Sequence, residues 1–313
     1  MKRSIDVASL LNDPKLSALR AKIPSLANAA QIIPLGGLTN TNYCVQTLMD
    51  KFVLRISNPS VSVLGIDREN ERINTERAHQ SGVGAAVVDS LPDENILVIR
   101  WIHANTLHAA DLKSQPDILP RIATALKMLH SGPKFKNDFH FPTVRKKYKT
   151  TVLESGYFLP DGYLKLEPSV IALEKILTST AEELVPCNND LLAENLLDDG
   201  KKIWIIDFEY SGNNEASFEI GNLAAESFLT EEQLTLLCDS YWKKHEPLKI
   251  VRAIAWSMIA RYGWVLWASI QEAISPIDFD FRSWGMKKWN SVLPELQGYR
   301  YEKILEQLKQ GSA

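Results

Sequence analysis

The chain has 313 residues, 45% hydrophobic and 23% charged, a composition that can bury a substantial core in one large domain or two lobes. Its formal net charge of −3 gives no electrostatic basis for holding nucleic acid or an anionic membrane surface, so a small-molecule partner is the expectation. Cys44, Cys187 and Cys238 are widely spaced and odd in number, which argues against a disulfide framework or a zinc site and predicts buried free thiols.

The start, MKRSIDVASLLND, lacks the continuous apolar stretch of a signal peptide, and no membrane span is expected, which places the protein in the cytoplasm. Runs at Ala30–Leu35, Asn42–Leu48 and Phe52–Ile56 are short and rich in β-branched or aromatic residues. They are separated by GGLTN and by Met49-Asp50-Lys51, a pattern that predicts antiparallel strands. The charged segment Asp67–Gln80 predicts a largely exposed helix, followed by strands at Ala85–Val88 and Ile96–Ile102.

Beyond His103-Ala104-Asn105-Thr106 the periodicity changes to long helices, beginning with Ile118–His130. This sets an expected boundary between Met1–His103 and Ala104–Ala313 in an α+β fold. Between Val185 and Ile206 the helical pattern is interrupted by VPCNND, LLAENLL and IWIIDFEY, with a turn at Asp198-Asp199-Gly200. The late apolar stretch Ile254–Ile270 is broken by Arg261 and predicts a buried helix.

Two of the short strands end in carboxylates, and that directs attention to phosphoryl transfer. This chemistry needs a positioner for the attacking hydroxyl, oxygen ligands for a metal bridging the phosphates, and a cation on the phosphate oxygens. Asp190 and Asn195 stand five residues apart, and a hairpin would bring Asp207 beside them. Asp190 then suits the proton acceptor, and Asn195 and Asp207 suit Mg2+, a hard cation that prefers oxygen. Taken alone, Asp-x-x-x-x-Asn is a common loop pattern; an apolar strand delivering an acid at its end makes it specific.

The segment CNNDLLAENLLDDGKKIWIIDFEYSGNNEASFEIGNLAAES resembles the catalytic and metal-binding region of the choline kinase family, which belongs with the aminoglycoside phosphotransferases in a kinase-like superfamily. The resemblance implies a two-lobed protein-kinase-like fold, with a small N-terminal antiparallel sheet plus helix and a larger, mainly helical C-terminal lobe. It further implies Asp190 as catalytic base, Asn195 and Asp207 as magnesium ligands, and Glu209 near the metal and the acceptor. Two positions depart from the family pattern: Asn188 replaces its His, and Glu219 replaces the Asp of its Phe-Asp-x-Gly-Asn turn.

In GGLTNTNY, Gly36 and Gly37 allow a close backbone turn over phosphates, and Thr39, Asn40 and Asn42 can donate hydrogen bonds. The loop resembles the family's nucleotide loop, and Arg55 in the next strand takes the place of the nucleotide-binding lysine of protein kinases. Glu71 is its expected acidic partner, with Glu69 and Glu76 as alternatives. Arg100, Trp101 and Ile102 fall where a hinge would meet the adenine of ATP.

Near the end, Trp264 and Trp267 share a helix face, and Phe279, Phe281 and Trp284 follow the break at Ser275-Pro276. Aromatic residues at helical spacing usually pack a core, but aromatic faces also recognise quaternary ammonium groups. These residues fall on the family's aromatic cage or cage-flanking positions, which implies choline or a related amino alcohol as acceptor. An ethanolamine, thiamine or aminoglycoside kinase and a nucleotide-binding pseudokinase, the last motivated by Asn188, stay open as alternatives.

Overall fold

The computed structural model describes residues 10–37, 39–57, 63–115 and 117–311, so the MKRSIDVAS start and Leu38 of the glycine-rich loop lie outside the described residues. Strands β1 (Ala29–Leu35), β2 (Asn40–Thr47), β3 (Lys51–Ser57), β4 (Val87–Leu91) and β5 (Ile96–Arg100) form one sheet, in the order β1-β2-β3-β5-β4. Every neighbouring pair is antiparallel. The β2–β3 reversal is held by the Thr47 hydroxyl, which accepts the amides of Met49 and Asp50.

Side chains alternate between the faces of a strand. In β3, Phe52 and Leu54 therefore turn to one face and join Leu16, Leu19, Ile32, Val45 and Val98 in a compact apolar cluster. Arg55 falls on the opposite face. There lies the helix Arg68–Gln80, whose first turn is capped by the Asp67 carboxylate accepting the Asn70 amide at 2.9 Å.

That helix is less exposed than its charge suggests, since Glu71, Asn74, Thr75 and Ala78 are buried along one stripe. Apolar periodicity cannot reveal such a stripe, because three of its members are polar, Asn74 held by Asn137 and Ser211, Glu71 by Arg55 and Arg68, and Thr75 by the Glu71 carbonyl. The next strand also differs from expectation, running Val87–Leu91 in place of Ala85–Val88, with a register irregularity between Val87 and Asp89.

The larger, helical part contains two small ribbons. β6 (Asn105–Thr106) pairs with β8 (Leu196–Asp198), which forms the expected hairpin with β9 (Ile203–Ile205); β7 (Leu184–Cys187) pairs with β10 (Gly212–Glu215). At the hairpin turn Gly200 adopts φ +85°, and the Asp199 carboxylate accepts the amides of Lys201 and Lys202, each at 2.8 Å.

The longest helix, Pro247–Ile274, is buried over most of its length and packs mainly on the helices Ala216–Ser227 and Phe281–Gln297. The first contact is tight: a Cβ on Gly221 would come 2.4 Å from the Ala253 carbonyl. The helix ends where Ser275 turns extended before Pro276, as a residue preceding proline prefers. Among the described residues no helix is long and apolar enough to cross a membrane, and all three cysteines are buried and free of disulfides.

Candidate active site

Three chain segments deliver the acids. β7 ends at Cys187 and leads into Asn188, Asn189 and Asp190; a short turn carries Asn195 into β8; β9 leads into Asp207 and Glu209. Two residues here hold the left-handed backbone that non-glycine residues seldom adopt, Asn189 at φ 65° and Asp207 at φ 64°. Such conformations persist only where the surroundings over-determine them.

Asn188 supplies much of that determination. It is fully buried, donates from Nδ2 to the carbonyls of Ile206 (3.1 Å) and Asp207 (2.8 Å), and accepts the Asp190 amide at Oδ1 (3.1 Å). Asn189 donates to the carbonyls of Cys187, Tyr210 and Gly212. From the far side, Glu219 Oε1 accepts the amides of Asn188 and Asn189, and Asn195 Nδ2 donates to the Asp190 carbonyl at 2.8 Å. Asp190 and Asn195 are thus joined in one loop that Asn188 ties to Asp207.

Arg55 reaches this acid cluster from the sheet. Its guanidinium pairs with Glu71 and lies 2.8 Å from Asp207 Oδ1. Glu69 and Glu76 both pair with Arg72 instead. Burial works to lower the Arg55 pKa, but Asp207, then Glu71 and Glu209, outweigh it and hold it above its ordinary value. Arg55, Glu71, Thr75 and Asp207 line an open cleft of about 260 Å³ between the sheet and the helical part, with Ala85, Leu97 and Ile99 on its apolar side.

Glu209 collects the glycine-rich loop. It accepts Thr39 Oγ1 at 2.8 Å and Asn40 Nδ2 at 2.8 Å, and Arg68 approaches it at 3.2 Å. Burial first, then Asp207, raise the Glu209 pKa above the ordinary carboxylate range. Asn42 Nδ2 donates to the Gly36 carbonyl. A Cβ on Gly37 would lie 2.8 Å from the Asn40 carbonyl, whereas one on Gly36 would meet nothing within 4 Å, so the tight turn needs glycine only at Gly37.

At the expected hinge the amides of Arg100 and Trp101 donate to the carbonyls of Ala86 and Lys51, extending the sheet bonding to Trp101, and the Ile102 carbonyl accepts the Ala104 amide. The Arg100 side chain points outward to Asp50.

Around Tyr210 lies an aromatic wall. The Trp267 indole donates to the Tyr210 hydroxyl at 3.0 Å, and its ring centroid is 5.2 Å from Trp284 and 5.7 Å from Phe281. Phe279 packs on Phe281 at the outer, exposed end. Trp264 sits deeper, its indole donating to Asn222 Oδ1 and its ring packed between Phe141 and Tyr210.

The wall contains a cation of its own. Lys288 Nζ stands 3.9 Å over Trp284 and 2.6 Å from Glu226 Oε2, with side chains only 1% and 2% exposed. Burial lowers the Lys288 pKa in spite of Glu226. Asp190 feels both residues: burial, then the Glu226, Glu209 and Asp207 carboxylates, push its pKa well above the ordinary value, while Lys288 pulls the other way.

Sequence reasoning passed over Arg68, Glu226, Lys288 and Tyr210. Tyr210 directly follows Glu209 and was the most accessible signal; the Glu226–Lys288 pair is 62 residues apart and leaves no local pattern.

A small antiparallel sheet set on a larger helical part, with paired acids at strand ends and an arginine–glutamate pair facing them across a cleft, defines a small-molecule kinase of the protein-kinase-like phosphotransferase class. Residues 32–246 match the family model described as choline/ethanolamine kinase, and the chain belongs to that family of ATP-using enzymes. Protein LicA of Haemophilus influenzae is 29% identical over 254 residues, covering 76% of this chain and 72% of the relative. A probable ethanolamine kinase of Arabidopsis thaliana is 25% identical over 289 residues, covering 82% and 76% respectively. The solved structure of a choline/ethanolamine kinase family protein from Mesorhizobium loti superposes with a TM-score of 0.82 at 27% identity, covering 94% of this chain and 99% of that one.

Proposed function

We propose that the chain transfers the γ-phosphoryl group of ATP to the hydroxyl of choline. Asp190 takes the hydroxyl proton, Arg55 engages the α- and β-phosphates, and the phosphates lie under the Gly36–Asn42 turn. The observation that carries this reading is the position of Asp190. Through Asn188, which accepts the Asp190 amide and donates to the Asp207 carbonyl, it is tied to the acid that Arg55 meets at 2.8 Å.

Magnesium fits the donors present. Asn195 and Asp207 offer hard oxygen ligands, and Asp207, while giving one oxygen to Arg55, still lines the cleft. When bound, the ion would neutralise charge developing on the phosphates. Asn188 orients the loop by bonding Asp190 and Asp207, the work a supporting residue has to do at this position. The expected division between nucleotide and acceptor lobes at His103/Ala104 is supported by the separate apolar cluster of the sheet, although Ala78 and Val83 pack with the helical core.

A second acceptor, ethanolamine, is favoured by one feature: Glu226 Oε1 is buried without a hydrogen-bond partner, and a primary ammonium needs such an acceptor. Choline has no N–H to satisfy and instead uses the faces of Trp267 and Trp284. The test is an acceptor panel of choline, ethanolamine, thiamine and an aminoglycoside with ATP and magnesium, read by ADP release. Choline is expected to show the highest kcat/KM. A higher value for ethanolamine would favour the second reading, and preferential turnover of thiamine or the aminoglycoside would overturn both.

A further inference from the structure

Behind the Asn188–Asp190 loop, on the side away from the cleft, lies a group of side chains that phosphoryl transfer does not use. Glu219 gives one oxygen to the loop amides, and its other oxygen, Oε2, has no hydrogen-bond partner although the side chain is fully buried. Oε2 lies 3.7 Å from His130 Nε2, and His130 Nε2 lies 3.7 Å from Cys187 Sγ. All three ligand atoms fall within 4.8 Å of one another, and all three residues are buried.

An orphaned carboxylate oxygen in a protein interior needs a partner to offset its lost hydration. A direct hydrogen bond from His130 does not provide it, because 3.7 Å exceeds N–H···O contact, and the Cys187 thiol offers Glu219 only a weak donor. An ion between the three atoms would. Around tetrahedral zinc, with Zn–S near ~2.3 Å and Zn–N and Zn–O near ~2.0–2.2 Å, the ligand atoms stand about 3.3–3.6 Å apart. The two separations from His130 Nε2, each 3.7 Å, need to close by only a few tenths of an ångström, and Cys187 Sγ lies within 4.8 Å of the Glu219 carboxylate.

The second shell also suits a ligand. His130 Nδ1 is 2.8 Å from the Tyr241 hydroxyl, and a proton held there leaves the Nε2 lone pair facing Cys187 and Glu219. A further oxygen stands close by in the Asn214 carbonyl, 3.6 Å from Cys187 Sγ.

We propose that His130, Cys187 and Glu219 bind a zinc-class divalent cation beneath the catalytic loop, distinct from any magnesium bound with ATP. Thiolate, imidazole and carboxylate together suit zinc and not magnesium. Binding releases the Cys187 proton, so that two anionic ligands balance the dication. Spacing along the chain hid the group, because its members come from a helix end, β7 and the helix Ala216–Ser227, brought together only by folding. Since Glu219 Oε1 carries the loop amides, an ion on Oε2 fixes the height of the loop, and through it of Asp190.

The test uses the full chain, produced in zinc-replete medium and desalted without chelator, with metal measured by plasma emission. About one zinc ion per chain is expected for the wild type, with most of it lost in Cys187→Ser. Cobalt added during refolding should give thiolate-to-cobalt charge-transfer absorption in the wild type and in Asp207→Asn, which alters the cleft, but not in Cys187→Ser. No retained zinc and no absorption band in the folded wild type would overturn the proposal. So would equal retention by wild type and Cys187→Ser, whatever the stability of the variant.

Discussion

The two walls around Asp190 are built on opposite principles. On the side proposed to meet the nucleotide, Arg55, Glu71, Arg68, Asp207 and Glu209 form a network in which Arg55, Glu71 and Arg68 each meet two opposite charges. On the side proposed for the acceptor, Trp264, Trp267, Phe281 and Trp284 are joined by ring contacts and by indole hydrogen bonds, with one buried ion pair among them. Charge networks place a few atoms closely, as in-line transfer to a phosphate requires. Packed rings shape a surface and choose what lies against it.

The contrast predicts where function breaks first. Asp190→Asn should lower kcat by ~10²–10⁴-fold while ATP binding survives, because proton transfer is lost and the phosphate-facing charges are untouched. Near-normal ADP release from this variant would remove Asp190 from its proposed role.

At the junction of the walls, Lys288→Met should cost about 3–5 kcal/mol of stability, measured by denaturant unfolding, because it strands the buried Glu226 carboxylate. The double variant Lys288→Met/Glu226→Gln should recover much of that loss. A single variant as stable as the wild type would mean that the pair is not desolvated.

Trp267→Leu should act on the aromatic side alone. The choline kcat/KM should fall by roughly tenfold to thirtyfold, the loss of a cation–π contact of up to ~2 kcal/mol, and ethanolamine turnover should fall less. Equal losses for both acceptors in a folded variant would assign the ring to packing.

The smallest effect concerns pH. A carboxylate whose folded pKa is raised stabilises the fold at low pH and loses that contribution as pH rises through the raised value. Asp190→Asn, though inactive, should therefore melt above the wild type at pH 8, with a gain of about 2–4 °C for each kcal/mol relieved, and the gap should close toward pH 4. A gap that widens on acidification would reverse the sign assigned to this site.

Much of the architecture was legible in the sequence because it rests on local rules. Alternation in Phe52–Ile56, the Asp198-Asp199-Gly200 turn and the Ser275-Pro276 break each announce themselves within a few residues. Glu71 was the expected partner of Arg55, and its alternatives Glu69 and Glu76 fell away only in the structure, where both turn to Arg72. The helix Arg68–Gln80 looked exposed because Glu71 and Asn74 are buried against Arg55, Asn137 and Ser211, partners that no periodicity encodes. For the same reason Lys288, an ordinary surface residue by type, gave no sign of its position over Trp284. The family match ends at residue 246, just before the helix that carries Trp264 and Trp267, so the acceptor wall is read from its own residues.

Glu209 has a consequence in time. By holding Thr39, Asn40 and Arg68 at once, it clasps the glycine-rich turn to the strand-end acids. On the proposed function, a nucleotide entering or leaving under that turn would part these bonds and let them re-form in every cycle. Opening steps of this kind commonly set turnover in enzymes whose chemistry is fast. The residue that best reports the pace of the enzyme would then be the one that closes the turn, and Asp190 would govern only what happens while it is shut.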